Sequence, residues 1–328
     1  MLQYLIILLD NTSTSFCHYS VTGKKRQLIS LENLKKGILF AMKENLTIQF
    51  VFPDYELPYE YYRLIETIDH VKIKPDSAND TDADIVVLNG ISELTGANLN
   101  KRLTYVLRIS KSEYNSNVDT VTETLKKVSR LNIVITDIES FGENDFCVYK
   151  DSLERLIHNI EELYVKDYSP QINLITDRLV LQQMNNCNAG DSTITLAPNG
   201  KFYPCPAFLY ESAESKYMGL GGPDDAPFSI GDLETGLDIK NPQLYKIDHA
   251  PICQVCDAYQ CKRCTWLNWK LTRETNTPSH EQCVLAHLER NASRQLLEKL
   301  RKRGDFLPEQ DIKAIDYLDP FDSIDYWR

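Results

Sequence analysis

Long apolar runs are scarce in this chain of 328 residues, and their scarcity excludes several classes of protein. The first such stretch, Tyr4-Leu-Ile-Ile-Leu-Leu9, is cut short by Asp10. A membrane span needs about 20 apolar residues, and a secretory signal needs a basic start and a longer apolar core. The sequence therefore predicts a cytoplasmic protein with no membrane association. Basic charge is also short: 36 Lys and Arg stand against 47 Asp and Glu, a formal net charge of −11 at pH 7. Neutralising phosphates requires a basic surface, so a general nucleic-acid binder is excluded. Low-complexity segments are lacking, as is any internal repeat beyond an alternation of strands and helices.

What is present suits a soluble protein with a sizeable core. Hydrophobic residues make up 42% and charged residues 25%, and the length fits two units sharing an interface. Nine cysteines stand out. Cys17 and Cys147 are isolated, whereas the other seven lie between Cys187 and Cys283, which divides the chain in two. Reduced cytoplasmic thiols serve metals or catalysis more often than disulfides.

Over residues 1–180, strands are expected at Tyr4–Leu9, Thr47–Phe52, Asp84–Leu88, Thr104–Ile109, Asn132–Thr136 and Ile172–Ile175. Most are near-continuous runs of Ile, Val and Leu, as a parallel sheet buried on both faces requires. Ser30 is placed to cap a helix whose inner face carries Leu31, Leu34, Ile38 and Met42. A later helix sets Leu153, Leu156, Ile157, Ile160, Leu163 and Tyr164 on one face. Such a series of βα units implies an α/β fold, either a doubly wound sheet or an incomplete barrel. Asp10, Asp54, Asn89, Asp137 and Asp177 close several strands, the end that carries the chemistry in βα barrels. Strand ends are also commonly polar for no functional reason.

From residue 181 onward the pattern changes. Thr193–Leu196 and Lys201–Tyr203 flank Pro198-Asn-Gly200 and read as a hairpin closed by an Asn-Gly turn. Residues 219–227, rich in Gly, Pro and Asp, read as an irregular loop. A helix is expected from about His280 to Arg303, with Leu285, Leu288, Ala292, Leu296 and Leu300 facing inward. Arg290, Arg294, Lys299, Arg301, Lys302 and Arg303 fall on the other face, either solvated or a docking patch for an acidic partner.

The cysteine spacings carry the chemistry. Cys187-x12-Gly200-x4-Cys205 is followed, after a gap, by Cys253-x2-Cys256-x4-Cys261-x2-Cys264 and finally by Cys283. Short loops bring such thiolates together at little entropic cost, and thiolate is the ligand that zinc and iron–sulfur clusters share. Zinc ribbons usually separate their Cys-x2-Cys pairs by about 15–20 residues, whereas four intervene here. Seven cysteines also exceed one four-thiolate zinc site and fall one short of two. Dense Cys-x2-Cys runs joined by distant cysteines suit iron–sulfur cubanes, with zinc as the alternative. Trp266 and Trp269 follow Cys264, either as shields of a metal centre or as ordinary core aromatics. Cys17 and Cys147 are expected to be small buried hydrophobes.

This order of cysteines resembles the SPASM domain, which binds auxiliary [4Fe-4S] clusters in radical SAM peptide-modifying enzymes. The usual third block has five and three intervening residues where this chain has four and two. The resemblance implies that Cys253, Cys256, Cys261 and Cys283 hold one cluster, and that Cys187, Cys205 and Cys264 hold another. The cysteine that the family often supplies just upstream of Cys187 is missing, so that cluster would have an open iron or a ligand other than cysteine. Ile230-Gly-Asp-Leu233 resembles the family's connecting segment.

Radical SAM enzymes also carry Cys-x3-Cys-x2-Cys after the first barrel strand. The corresponding loop here is Ser13-x3-Cys17-His18-Tyr19-Ser20, with both outer cysteines replaced by serine. The glycine-rich segment expected after the second strand is Phe50-Val-Phe-Pro-Asp-Tyr-Glu-Leu-Pro58, without a glycine. SAM cleavage by this chain alone is therefore not expected. The opening residues Tyr4–Tyr19, the closing Pro320-Phe-Asp-Ser-Ile-Asp-Tyr-Trp327 and the cysteine block together resemble the CXXX repeat peptide maturase family.

These resemblances imply a degenerate radical SAM-like partial (β/α)6 TIM-like barrel over residues 1–180. A small cysteine-rich α+β SPASM domain with a C-terminal helix would then cover residues 181–328. They imply one or two [4Fe-4S] clusters, a cysteine-rich precursor peptide and an active radical SAM enzyme as partner. The expected role is auxiliary, by precursor binding or electron relay. A peptide-docking adaptor with structural zinc is the alternative. An autonomous enzyme using Asp10, His18, Asp54 or Asp137 is a third reading, which no spacing singles out.

Overall fold

The computed structural model describes residues 2–21, 24–76, 82–180, 187–211, 228–256, 258, 261 and 264–314. The expected loop over 219–227 and the closing Pro320–Trp327 lie outside the described residues. The chain opens with β1 (Tyr4–Leu8), α1 (Leu31–Glu44), β2 (Thr47–Val51), α2 (Tyr59–Ile65), β3 (His70–Pro75) and β4 (Ile85–Asn89). It continues through α3 (Gly90–Gly96), β5 (Thr104–Ile109), α4 (Lys111–Ser116), α5 (Val118–Leu125), β6 (Arg130–Ile135), α6 (Glu143–Val165) and β7 (Gln171–Ile172). Then follow β8 (Thr193–Leu196), β9 (Phe202–Tyr203), α7 (Pro206–Glu211), β10 (Gly231–Asp232), β11 (Gly236–Leu237), α8 (Thr265–Thr272) and α9 (His280–Arg301). Among the described residues no helix is long and apolar enough to cross a membrane.

Packing groups the chain into two units, each made of two stretches: residues 1–87 with 188–246, and residues 88–187 with 247–328. Composition changes near residue 181, whereas packing joins 188–246 to the amino-terminal stretch.

In the first unit β1 lies between β2 and β8 and runs parallel to both, with Tyr4 opposite Thr47 on one side and Thr193 on the other. β2 continues to β3 and β3 to β4, all parallel, while β9 closes the Asn-Gly hairpin antiparallel to β8. The core is built from Leu5, Ile7, Ile48, Phe50, Ile194 and Leu196, with Leu34, Ile38 and Ala41 of α1 packed over them. The Ser30 side chain accepts the Asn33 N–H and caps α1 as expected. α1 approaches the sheet at Gly37, where an added Cβ would stand 2.4 Å from a Leu196 methyl.

In the second unit β5, β6 and β7 are parallel neighbours. α6 buries Leu153, Leu156, Ile157, Ile160 and Leu163. α9 buries Leu285, Leu288, Ala292, Leu296 and Leu300, the inward face read from the sequence.

Several expectations are corrected. β3 was not expected, because His70-Val-Lys-Ile-Lys-Pro75 is not an apolar run. Lys72 and Lys74 are nevertheless buried, with the Lys72 ammonium 2.6 Å from Glu66 and 2.8 Å from Asp82. Leu31 and Met42 are exposed rather than inward, since α1 turns its Gly37 and Ala41 to the sheet. The last expected strand shrinks to Gln171–Ile172 and gives way to a turn and a 3-10 helix over Thr176–Leu179. Arg290 is buried rather than solvated, because α9 is covered on more than one face. Cys147 is exposed and Cys17 half-buried, so neither is a core residue.

Candidate metal centre

Four of the expected ligands come together in the second unit. Cys253, Cys256, Cys261 and Cys283 line one small pocket, together with Ile252, Ala258, Pro278, Gln282, Ala286 and His287. Local backbone geometry delivers them. Cys253 opens a short 3-10 turn that Cys256 ends, its N–H donating to the Cys253 carbonyl at 3.2 Å. The Cys261 N–H donates to Ala258 O at 2.9 Å. Cys283 sits in the first turn of α9, whose amino end is capped by the Ser279 side chain. Cys253 and Cys283 are buried.

The thiols affect one another. That of Cys261 is pushed well above its ordinary pKa, first by burial and then by the neighbouring Cys253 and Cys256. Metal binding requires the thiolate form, so a cation bound here would have to displace the Cys261 proton. Four cysteines lining one pocket are the donor set of four-thiolate ligation, the chemistry common to zinc and iron–sulfur clusters, by residue type rather than by their present geometry. Among the described residues no group of three or more His, Cys, Asp or Glu has the arrangement of ligands around a metal ion.

Two features of this region were missed in the sequence. His287 is buried, and its Nε2 lies 3.3 Å from the Cys256 sulfur, to which the Ala258 N–H also donates at 3.4 Å. The available signal was the Cys283-x3-His287 spacing, which puts both residues on one face of a helix. The second feature is a buried polar network. Arg178 pairs with Glu289, Tyr149 donates to Glu289 at 2.7 Å, and Arg290 donates to the Arg178 carbonyl at 3.1 Å.

The remaining expected ligands lie elsewhere. Cys205, half-buried, precedes α7 in the first unit, near enough to Tyr245 to help raise its pKa beyond the effect of burial. Cys187 is exposed, and Cys264 precedes α8, its sulfur accepting the Leu267 N–H at 3.5 Å; both belong to the second unit. Trp266 is buried beyond Cys264, with the Lys270 ammonium 5.2 Å from its ring centre.

The Ser13–Ser20 loop occupies the first unit. Ser13 is fully buried; its hydroxyl donates to Val51 O at 2.7 Å and accepts the Asp10 N–H at 3.0 Å. Asp10, equally buried, accepts from Thr12 N–H at 2.7 Å and from the Tyr55 hydroxyl at 2.9 Å. Burial and that bond push the Tyr55 pKa up to about 12. Cys17 and His18 are half-buried and Ser20 is exposed. The other polar strand ends also serve the fold: Asp137 accepts the Lys111 N–H at 2.8 Å, Asn89 accepts from Arg108 at 2.8 Å, and Asp177 pairs with Arg130 at 2.6 Å. Asp54 instead lines a cavity of about 530 Å³ beyond β2 and β3, with Tyr55, Glu56, Tyr62 and Lys74.

No protein-family model matches the chain, and no curated protein matches it either. Solved structures do resemble it. Native anSMEcpe with bound AdoMet superposes with a TM-score of 0.59 at 12% identity, covering 92% of this chain and 100% of that one. Native anSMEcpe with bound AdoMet and Cp18Cys peptide gives 0.60 at 13% identity, covering 92% and 99%. At such identity the likeness establishes the fold: a mixed α/β architecture on parallel strands.

Proposed function

We propose that this chain is an iron–sulfur protein of the SPASM kind that takes part in maturing a cysteine-rich, ribosomally synthesised peptide. Residues 1–180 would be a degenerate radical SAM-like partial barrel, and residues 181–328 the cluster-bearing part. The observation that carries this reading is the set of four cysteines around one pocket. Cys253, Cys256, Cys261 and Cys283 would hold one [4Fe-4S] cluster, and Cys187, Cys205 and Cys264 a second. When bound, such clusters supply one-electron transfer. The protein's contribution is to hold the thiolates, exclude water and orient the precursor.

Two further observations support this reading, the second of them bearing on an auxiliary role. The fold matches anSMEcpe, which is described with AdoMet and a peptide bound. The Ser13 hydroxyl, at the place of the first ligand in a SAM-cleaving loop, is occupied with two backbone groups. The active radical SAM enzyme would then be a separate partner.

The test is anaerobic purification with iron, sulfide and zinc quantified per chain. About eight irons support two cubanes and about four support one. Zinc without iron replaces this reading with that of a peptide-docking adaptor on a structural metal. Loss of iron in Cys256→Ala, with the chain still folded, assigns the ligand.

A further inference from the structure

We propose that His287 donates a hydrogen bond to the Cys256 sulfur and thereby raises the reduction potential of the cluster at this pocket. The inference rests on the iron–sulfur reading above and assigns a residue outside the cysteine pattern. Cys283 and His287 stand one turn apart on α9, so a single helix brings both a ligand and a group that acts on another ligand. The His287 side chain is 1% exposed, and its Nε2 is 3.3 Å from the Cys256 Sγ. A thiolate bound to metal carries no proton, so the hydrogen between these atoms must sit on the imidazole nitrogen. His287 is then the donor and the sulfur the acceptor.

The Ala258 N–H reaches the same sulfur at 3.4 Å, so two donors converge on Cys256. Each withdraws negative charge from the sulfur. Reduction adds an electron, so such bonds favour the reduced form and move the potential upward. Four cysteines already line the pocket, and the nitrogen stands at hydrogen-bonding distance from a sulfur. This arrangement makes His287 a positioning residue acting through Cys256 rather than a ligand.

The test uses the full chain reconstituted with iron and sulfide, its potential read by anaerobic titration followed by electron paramagnetic resonance. His287→Leu is expected to keep its iron and shift to a more negative potential. His287→Gln, which retains an N–H donor, is expected to recover part of that shift; a purely structural role would give no such recovery. Potentials unchanged in His287→Leu, with iron retained, would overturn the role of His287 and leave the cluster intact. Directly bound nitrogen in the spectrum would overturn it as well, by making the imidazole a ligand. A wild-type chain that takes up no iron would overturn the cluster reading and this inference together.

Discussion

Tyr149 donates its phenolic hydrogen to Glu289 across 2.7 Å, and both side chains are buried in the second unit. Burial, with the Glu289 carboxylate beside it, holds the Tyr149 hydroxyl protonated well beyond its ordinary range. The other Glu289 oxygen pairs with Arg178, whose exposure is 2%. Arg178 also donates to the Asn173 carbonyl at 2.8 Å, tying α9 to the segment after β7. The same two charges act on Cys261, Arg178 lowering its pKa and Glu289 raising it, so the network stands within electrostatic reach of the cysteine pocket.

Removing one member of this pair should therefore be costly. Arg178→Met leaves the Glu289 charge buried beside Tyr149 without its cation, and breaking a buried pair in this way costs about 3–5 kcal/mol. Urea unfolding of the variant and the wild type measures it. A loss below about 1 kcal/mol, the size typical of exposed pairs, would contradict the buried arrangement.

Ser13→Ala should destabilise the first unit. The Asp10 N–H loses its side-chain acceptor in a site with no exposure, a penalty of about 1–3 kcal/mol. Differential scanning calorimetry checks the fall in Tm. A variant as stable as the wild type would mean that the hydroxyl is dispensable.

The Ser13–Ser20 loop also sets an expectation for activity. Supplied with SAM and dithionite after reconstitution, the isolated chain should form no 5′-deoxyadenosine above an iron-free control, because a lone Cys17 thiolate replaces three ligands. Chromatography of the quenched mixture reads the product. Turnover by the isolated chain would revive the autonomous enzyme.

Much of this architecture was legible in the sequence. Strands such as Thr104–Ile109 are near-continuous apolar runs, broken there only by Arg108, and the Ser30 cap and the Asn-Gly hairpin follow from local backbone chemistry. β3 was not legible, since Lys72 and Lys74 read as solvent-exposed until the Glu66 and Asp82 carboxylates that neutralise them are placed. The cysteine spacing singled out seven candidate ligands, and the grouping of the four that line the pocket came only from the resemblance to the SPASM pattern. His287 escaped because a lone histidine has no pattern until α9 is known to carry Cys283 one turn earlier. Arg290 escaped because helical periodicity describes a helix with one buried face, and α9 is covered more widely.

A pH dependence follows from α6. Asp145 accepts from the Lys111 ammonium at 2.7 Å and from the Gly142 N–H at 2.9 Å, and these bonds, Lys111 foremost, lower its pKa. A carboxyl whose folded pKa is depressed stabilises the protein above its unfolded pKa and loses that effect as pH falls through the folded value. Asp145→Asn should thus be less stable than the wild type at neutral pH, with the gap closing below the ordinary carboxylate range. Denaturation series at several pH values measure the gap, and a difference independent of pH would contradict the assignment.

The placement of β8 beside β1 has a consequence for synthesis of the chain. β1 is made shortly before β2 and acquires it early, but its opposite edge stays bare until Thr193–Leu196 has been made. An unpaired edge next to Leu5 and Ile7 is a template for aggregation. A fragment truncated at residue 180 would keep that edge open permanently, so the two halves of the sequence are poor candidates for separate expression.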